Sequence, residues 1–281
     1  MDFGRRTTQK YSFKSPNVVE LRKLGALVSD TVKFCDRYGS LLYILKIMVE
    51  DGVLNTLVQF YDPLHHCFTF PDYQLVSTLE EYSYWMGLPV KDKVIFSGME
   101  EDPSLKAISK ALYLKESDLK GKLVNKWGIL GINAKFLMEK ASALASVGNM
   151  VAFEAILSLL IYGLVLFPNM DGVVDVHAIQ IFLIENPVPT LLGDTYHSIH
   201  HRTSKGCGEI VCCAPLLYKW FISHLPQSEI FKDNKEGRRW SQRFMSLNHM
   251  NMTWYYIDYD TGVIIDSCGE FPNVPLIGTQ G

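Results

Sequence analysis

The chain has 281 residues, enough to bury about three quarters of the surface that an unfolded chain exposes. Its hydrophobic fraction of 48% and charged fraction of 20% are ordinary for a globular protein. The net charge of −3 excludes a global basic field that would draw the chain onto nucleic acid or an anionic membrane. The cysteines are few and irregularly spaced, which favours reduced thiols in an intracellular protein over a disulfide framework.

Residues 1–17 are basic and lack amphipathic periodicity, so we expect a flexible, solvated arm. No apolar run follows them, which argues against a secretory signal. Residues 18–281 contain no recognisable linker and are expected to form one domain. Residues 274–281 carry no charged side chain. Because a natural terminus is usually solvated, this pattern suggests a chain cut from a longer protein.

Helical spacing of apolar residues predicts short helices within 18–27, 41–50 and 53–61. The best-marked helix opens at Thr78, an N-cap residue with Glu81 three positions later, where the carboxylate can reach back to the Thr78 amide. Gly87 suits the left-handed position after the helix, and Pro89 prevents the helix from resuming. A short β element is expected just before it, near residues 68–75.

The middle of the chain alternates charged and apolar segments. Residues 100–126 predict one or two surface helices, and residues 133–146 predict another helix. The apolar run 151–167 contains Glu154, ends at Pro168 and lacks flanking basic residues. It therefore fits a buried central helix better than a membrane span.

Towards the C-terminus, residues 176–184 are equally compatible with a helix or a strand. Asn186-Pro187-Val188-Pro189 is expected to be non-helical, and residues 215–225 read as an aromatic helix. Residues 254–266 predict a hairpin that turns at Asp260-Thr261-Gly262. The fold class predicted is mainly α: a single helical domain with a small β-hairpin near the C-terminus and a short β element near residues 68–75.

The densest cluster of potential metal ligands lies in residues 197–213, which hold three His and three Cys. Zinc needs four convergent ligands of this kind. If it binds here, the ligands come from His197, His200, Cys207 and Cys212. The spacing matches no CxxC knuckle, so we favour a polar loop that enters a strand and expect no metal.

A second cluster sets basic side chains beside aromatic ones, at Lys235, Arg238, Arg239, Trp240 and Arg243. Such a pattern could track a phosphate backbone and stack bases. Helical phase would instead turn Trp240 and Phe244 onto one inward face, and we favour a solvated helix that packs its aromatic residues.

Catalytic motifs are weak. Asp260-Thr261-Gly262 matches the triplet found at aspartic-protease active sites. That chemistry needs a protein lobe built behind the triplet, and too few residues follow Gly262 to form one. Cys207 or Cys268 could pair with a His as a nucleophile, yet no glycine elbow accompanies either residue. No GxGxxG, P-loop or Schiff-base lysine context is present, so no cofactor and no small-molecule substrate are inferred.

Five segments in order resemble the plant mobile domain, a family often mislabelled "aminotransferase-like" and tied to transposable elements, in the version abundant in legume genomes. The segments are residues 67–90, 160–168, 186–194, 215–221, and 266–271 together with 274–278.

This resemblance implies a largely helical, transposon-associated domain, with nuclear roles in some members and no established catalytic residues. We therefore expect a non-enzymatic binding domain in the nucleus with protein or chromatin partners. Nucleic acid binding, which would use Arg5, Arg6 and the patch around Arg239, and a cryptic hydrolase remain the alternatives. We expect neither a membrane association nor secretion.

Overall fold

The computed structural model describes residues 9–89, 102–227, 231 and 237–254, and the backbone of two strands at 264–268 and 271–277. Helices form most of this part of the chain. They are α1 Val19–Gly25, α2 Thr31–Tyr38, α3 Leu41–Lys46, α4 Asp51–Leu57, α5 Leu79–Met86, α6 Leu105–Ala111, α7 Glu116–Leu119, α8 Ala134–Ser146, α9 Met150–Ile161, α10 Val176–Ile184, α11 Val188–Lys205, α12 Ala214–His224 and α13 Trp240–Met245.

The strands are short and pair into four small sheets within the described residues. They are β1 Tyr11–Phe13, β2 Tyr61–Asp62, β3 Cys67–Thr69, β4 Gln74–Leu75, β5 Leu123–Lys126, β6 Ile129–Asn133, β7 Val173–Asp175, β8 Gly208–Ile210, β9 Ile264–Cys268 and β10 Phe271–Ile277. The sheet orders are β1-β8, β2-β3-β4, β5-β6-β7 and β9-β10, and only the β1-β8 pair is parallel.

The predicted fold class is therefore wrong. Helix accounts for 57% of the structure and strand for about 11%, and the molecule is a mixed α/β protein with several sheets. The short β element near residues 68–75 is present as β3 and β4. The β5-β6-β7 sheet and the parallel β1-β8 pair were not predicted. Their strands are too short for a period-2 pattern to stand out. The partners of β1 and β7 lie far apart in sequence, whereas β5 and β6 are neighbours joined by a two-residue turn.

The apolar segment from residue 151 is the buried centre of the protein, as predicted. Nearly every residue of α9 from Ala152 onwards is shielded from solvent. The helix then widens into a π-helical turn at Tyr162–Leu166. There Gly163 lies so close to β7 that an added Cβ would meet Val174 Cγ1 at 2.5 Å. Among the residues described, no helix is long and apolar enough to cross a membrane.

The predicted ends of helix α5 are confirmed. The Thr78 hydroxyl accepts from the Glu81 amide at 3.2 Å, and the Glu81 carboxylate accepts from the Thr78 amide at 2.9 Å. Gly87 is left-handed, with φ of 62°. The confirmed capping box fixes the start of α5.

Other local predictions fail for identifiable reasons. Residues 188–205 are one long helix, because Pro187 and Pro189 sit at its first positions, where a proline needs no N–H partner. Of the polar loop entering a strand that was expected within residues 197–213, residues 197–205 are thus helical, and the strand β8 follows at Gly208–Ile210. Residues 123–126 form a strand instead of a surface helix. The turn Asp260-Thr261-Gly262 lies outside the described residues, and the hairpin that is described joins β9 to β10.

Candidate functional site

A cleft of 570 Å³ opens where α2, α6, the π-helical turn and the end of α10 meet. Its size is typical of small-ligand and peptide-side-chain sites. We call it the Arg37 cleft. Its polar lining consists of Arg37, Tyr38, Lys110, Tyr113, Tyr162 and Glu185, and its apolar lining of Leu88, Ala107, Ala111, Phe182 and Leu183.

The end of α2 is held firmly, and this places Arg37 and Tyr38. Asp30 caps the start of the helix by accepting from the Lys33 amide at 3.0 Å. The helix stops at Gly39, whose φ is 67°. A Cβ at Gly39 would come within 2.3 Å of the Met86 carbonyl oxygen, so only glycine allows α2 to end this close to α5.

Arg37 spans the cleft between two aromatic rings. Its guanidinium donates a hydrogen bond of 2.6 Å to the Tyr113 hydroxyl. The guanidinium carbon lies 5.1 Å from the Tyr38 ring centroid and 5.4 Å from that of Tyr113, within cation–π range. The side chain is therefore pre-positioned, although one hydroxyl acceptor and two rings do not neutralise its charge.

Two tyrosines form the floor of the cleft. Burial raises the pKa of Tyr38 to about 12 and also raises the pKa of Tyr162. Both phenols therefore keep their protons at physiological pH and can donate to an acceptor. The Tyr38 hydroxyl is buried and has no hydrogen-bond partner in the described part of the chain. An unpaired buried hydroxyl lowers the stability of the folded protein by about 1–3 kcal/mol. A ligand atom that accepts its hydrogen bond would recover this energy.

The cleft is also where the backbone is unusual. Tyr113 and Glu185 have φ of 54° and 57°, in the left-handed region that non-glycine residues avoid. Tyr162 begins the π-helical turn. Left-handed non-glycine residues and π-helical turns both concentrate at functional sites.

The lining of the Arg37 cleft suits binding better than covalent chemistry. The described residues that line it include no Ser, Thr, Cys or His. Arg37 and Lys110 offer two positive charges, against the carboxylate of Glu185 in the lining and that of Glu154, which interacts with Arg37 from outside the lining. Together with the Tyr38 hydroxyl, Arg37 and Lys110 favour a ligand that carries a carboxylate or a similar oxyanion beside an apolar group.

A second polar group, the Glu81 cluster, lies in the core and is made of Thr78, Glu81, Trp220, His224 and Thr253. Trp220 Nε1 donates to Glu81 Oε2 at 3.0 Å, and His224 Nδ1 lies 2.8 Å from the Thr253 carbonyl oxygen. His224 Nε2 lies 2.9 Å from Glu81 Oε1, at an angle unsuited to a hydrogen bond.

An oxygen atom thus faces each ring nitrogen of His224. His224 and Glu81 are almost completely buried and line none of the cavities described here. The pair has the side chains of an acid–base dyad, but none of the cavities in the described part of the chain reaches it. It joins α5, α12 and the chain at Thr253.

The residues of the zinc hypothesis are not brought together. His200 stacks on His66, with ring centroids 4.7 Å apart, and His197 stacks on His201 at 6.1 Å. Cys207 is exposed and Cys212 is buried. Within the described residues, no three His, Cys, Asp or Glu side chains are placed to hold a metal ion.

The aromatic side chains of the basic and aromatic patch pack against other parts of the chain. The Arg243 guanidinium lies 3.7 Å from the Trp240 ring centroid and donates to the Phe231 carbonyl oxygen. Trp240 Nε1 donates to Glu50, and Phe244 is fully buried. Arg238 and Arg239 are exposed, and Lys235 lies outside the described residues. The aromatic groups needed for base stacking are therefore already occupied.

The hydrolase candidates gain no geometric support. Asp260 and the side chain of Cys268 lie outside the described residues, and Cys207 is an exposed free thiol. Burial raises the pKa of Cys212 well above its usual value and that of Cys213 to about 12. Both thiols are therefore protonated and unreactive at neutral pH.

Two further cavities lie around Lys14. One of 620 Å³ reaches towards Asp171, which is paired with Lys14 at 2.9 Å, and one of 180 Å³ runs along α3. Neither contains an unpaired buried hydroxyl or left-handed non-glycine residues among its described lining. The Arg37 cleft is therefore the stronger site.

Comparisons with known proteins leave the site without a precedent. No curated protein matches the chain, and no solved structure matches it. A family model described as "Domain of unknown function (DUF7745)" matches residues 21–281, which span the Arg37 cleft and the Glu81 cluster. The chain belongs to the DUF7745 family.

Proposed function

We propose that this chain is a non-enzymatic, transposon-derived binding domain that acts on a protein or chromatin partner in the nucleus. Its binding site is the Arg37 cleft, and the group that it takes is a carboxylate-bearing protein segment. The transposon origin and the nuclear location rest on the resemblance of five segments to the plant mobile domain, and four of those segments include buried core residues.

The observation that carries the proposal is the Tyr38 hydroxyl, buried and unpaired beside a guanidinium that has no carboxylate hydrogen-bonded to it among the described residues. An acidic side chain or a chain terminus entering the cleft would accept from both groups. Charge-assisted hydrogen bonds of this kind are about twice as strong as neutral ones. The apolar wall of Phe182 and Leu183 would pack against the neighbouring residue of the partner.

The test is a selection from a random peptide library displayed on phage, with wild-type protein and the Arg37→Gln variant as baits. Wild type should enrich peptides that carry Asp or Glu beside an apolar residue, and Arg37→Gln should lose that enrichment. Lys33→Gln is the matched control, because it removes the same charge from the same helix at a side chain that is 83% exposed.

Enrichment of the same peptides by wild type and Arg37→Gln would overturn the assignment of the site. Hydrolysis of ester or peptide reporters by wild type, lost in Cys268→Ala or Asp260→Asn, would overturn the non-enzymatic proposal.

A further inference from the structure

The hairpin of β5 and β6, with its tip at Trp127-Gly128, presents an unusual side chain to solvent. Lys126 pairs with Ile129, so the connecting loop has only two residues. Trp127 and Gly128 have φ of 56° and 84°, which is the geometry of a type I′ turn. That turn favours Asn-Gly, and a tryptophan in its first position is strained. We call this unit the Trp127 hairpin.

The strained residue is also exposed. Trp127 is 81% exposed. Between residues 114 and 146, all of which the structure describes, no other large hydrophobic side chain is exposed. A tryptophan that serves packing would be buried, and one that serves the turn would be replaced by asparagine. The strain and the exposure together indicate that the indole is kept for an outside partner.

Lysines are concentrated in the sequence around the indole, and one exposed acidic side chain, Asp171, interacts with Lys126 while it is paired with Lys14 at 2.9 Å. Residues 119–138 contain Lys120, Lys122, Lys126 and Lys135 and no Asp or Glu, in a chain whose net charge is −3. Lys120, Lys122 and Lys135 are exposed. Lys126 lies 4.7 Å from the Trp127 ring centroid and donates to the Asp171 carbonyl oxygen. Lys122 directly precedes β5, and its Nζ lies 5.4 Å from the Phe136 ring centroid.

We propose that the Trp127 hairpin is a contact site for single-stranded nucleic acid, in which Trp127 stacks on a base and the lysines neutralise adjacent phosphates. One exposed aromatic ring within a positive surface is the combination that sequence-independent single-strand binders use. A membrane surface is the less favoured partner, because interfacial binding needs a broad apolar face and the neighbouring apolar side chains are partly or fully buried.

The site is independent of the Arg37 cleft and differs from the patch around Arg239. The test is fluorescence anisotropy with a fluorescein-labelled oligothymidine of about 15 nucleotides, the upper range of a single-strand site. Wild type should bind at low salt, and Trp127→Ala should weaken binding by roughly tenfold. Trp127→Phe, which keeps a stacking ring, should stay close to wild type.

The lysines are tested by salt dependence. The double variant Lys120→Ala/Lys122→Ala should flatten the plot of log affinity against log salt by about 1.4 units, since each single-strand phosphate contact contributes about 0.7. The matched control, Lys23→Ala/Lys33→Ala, removes two exposed lysines from α1 and α2 and should leave the slope unchanged. Arg37→Gln should bind the oligonucleotide as wild type does.

Three results would overturn the proposal. The first is no binding by wild type at low salt, and the second is equal affinity of Trp127→Ala and wild type. The third is binding to phosphatidylserine vesicles without binding to the oligonucleotide, which would make the hairpin a membrane contact. Trp127→Asn gives an independent check, because it should raise the melting temperature while it weakens binding.

Discussion

The Glu81 cluster and the Arg37 cleft both place polar side chains in the interior, but they satisfy them differently. In the Glu81 cluster, the carboxylate meets Trp220 Nε1, the Thr78 amide and His224, all from this chain. In the Arg37 cleft, the buried Tyr38 hydroxyl has no partner among the described residues. Buried polar groups are normally paired, and each exception calls for an explanation.

The difference separates two uses of polarity. A buried network whose partners belong to the chain fixes how helices pack. In the Glu81 cluster His224 Nε2 makes no hydrogen bond, but it faces Glu81 Oε1 and not a described cavity. An empty cleft with an unpaired hydroxyl and a pre-positioned guanidinium lowers the stability of the protein. A ligand that accepts hydrogen bonds from both groups would restore that stability. The predictions below ask whether stability depends on the first region and binding on the second.

The largest effect is expected for Glu81→Ala, which leaves Trp220 and the Thr78 amide without their buried acceptor. Leaving a buried donor without its acceptor costs about 1–3 kcal/mol for each group, and Trp220 Nε1 and the Thr78 amide both donate to Glu81. Urea unfolding followed by circular dichroism measures the change. The control Glu80→Ala, in the same helical turn but only half-buried, should cost no more than about 1 kcal/mol. Similar losses in both variants would contradict the central role of the cluster.

Gly163→Ala tests the support of the cleft floor. The new Cβ would lie 2.5 Å from Val174 Cγ1 and force the π-helical turn and β7 apart, at a cost of about 1–3 kcal/mol. Thermal unfolding measures it. Gly193→Ala, within α11 and with open space around it, should instead stabilise by about 0.5–1 kcal/mol. A neutral Gly163→Ala would show that the turn yields easily and does not fix Tyr162.

Asp194 is a carboxylate without the partners that Glu81 has. Burial raises its pKa from 3.8 to about 6, so the folded state holds the proton more tightly than the unfolded state. Its contribution therefore favours folding below about pH 4 and is lost as pH rises through 6. Asp194→Asn should stabilise the protein by about 1–2 kcal/mol at neutral pH and have little effect near pH 4.

Urea unfolding of wild type and Asp194→Asn at both pH values provides the measurement. An equal stability difference at both pH values would mean that the folded environment does not raise the pKa of Asp194.

The smallest effects on stability are expected when the hydroxyl is removed from either of two buried tyrosines. The Tyr196 hydroxyl accepts from the Ser77 amide at 2.7 Å, so Tyr196→Phe should cost about 1 kcal/mol. Tyr38→Phe removes a hydroxyl with no partner in the described chain and should be neutral or slightly stabilising. Parallel urea titrations decide this. A loss in Tyr38→Phe as large as that in Tyr196→Phe would show that the Tyr38 hydroxyl is already satisfied.

The features that could be predicted from sequence are those that a few neighbouring residues determine. Helix α5 could be predicted from Thr78, Glu81 and Gly87, because the capping box and the left-handed residue after the helix depend on fixed local spacing. The burial of α9 follows from a continuous apolar run. The helix at 188–205 was missed because prolines were read as breakers, although they occupy its first positions.

The sheets and the Arg37 cleft depend on contacts that no local pattern reveals. Tyr11 pairs with Gly208 across most of the chain, and strands of two to five residues are too short to show their period. The cleft gathers side chains from residue 37 to residue 185, on four different elements. Gly39 is the local feature of the sequence that bears on the cleft, because a glycine directly after a helix fixes where that helix ends.

The central claim is that the Arg37 cleft takes a carboxylate-bearing segment while the Glu81 cluster serves the fold alone. Hydrogen–deuterium exchange with and without an acidic peptide from the library selection tests it directly. Peptide binding should slow exchange in α2 and in residues 105–113 and leave α5 and α12 unchanged, and Arg37→Gln should abolish the protection. Protection centred on α5 and α12, or unchanged protection in Arg37→Gln, would contradict the account.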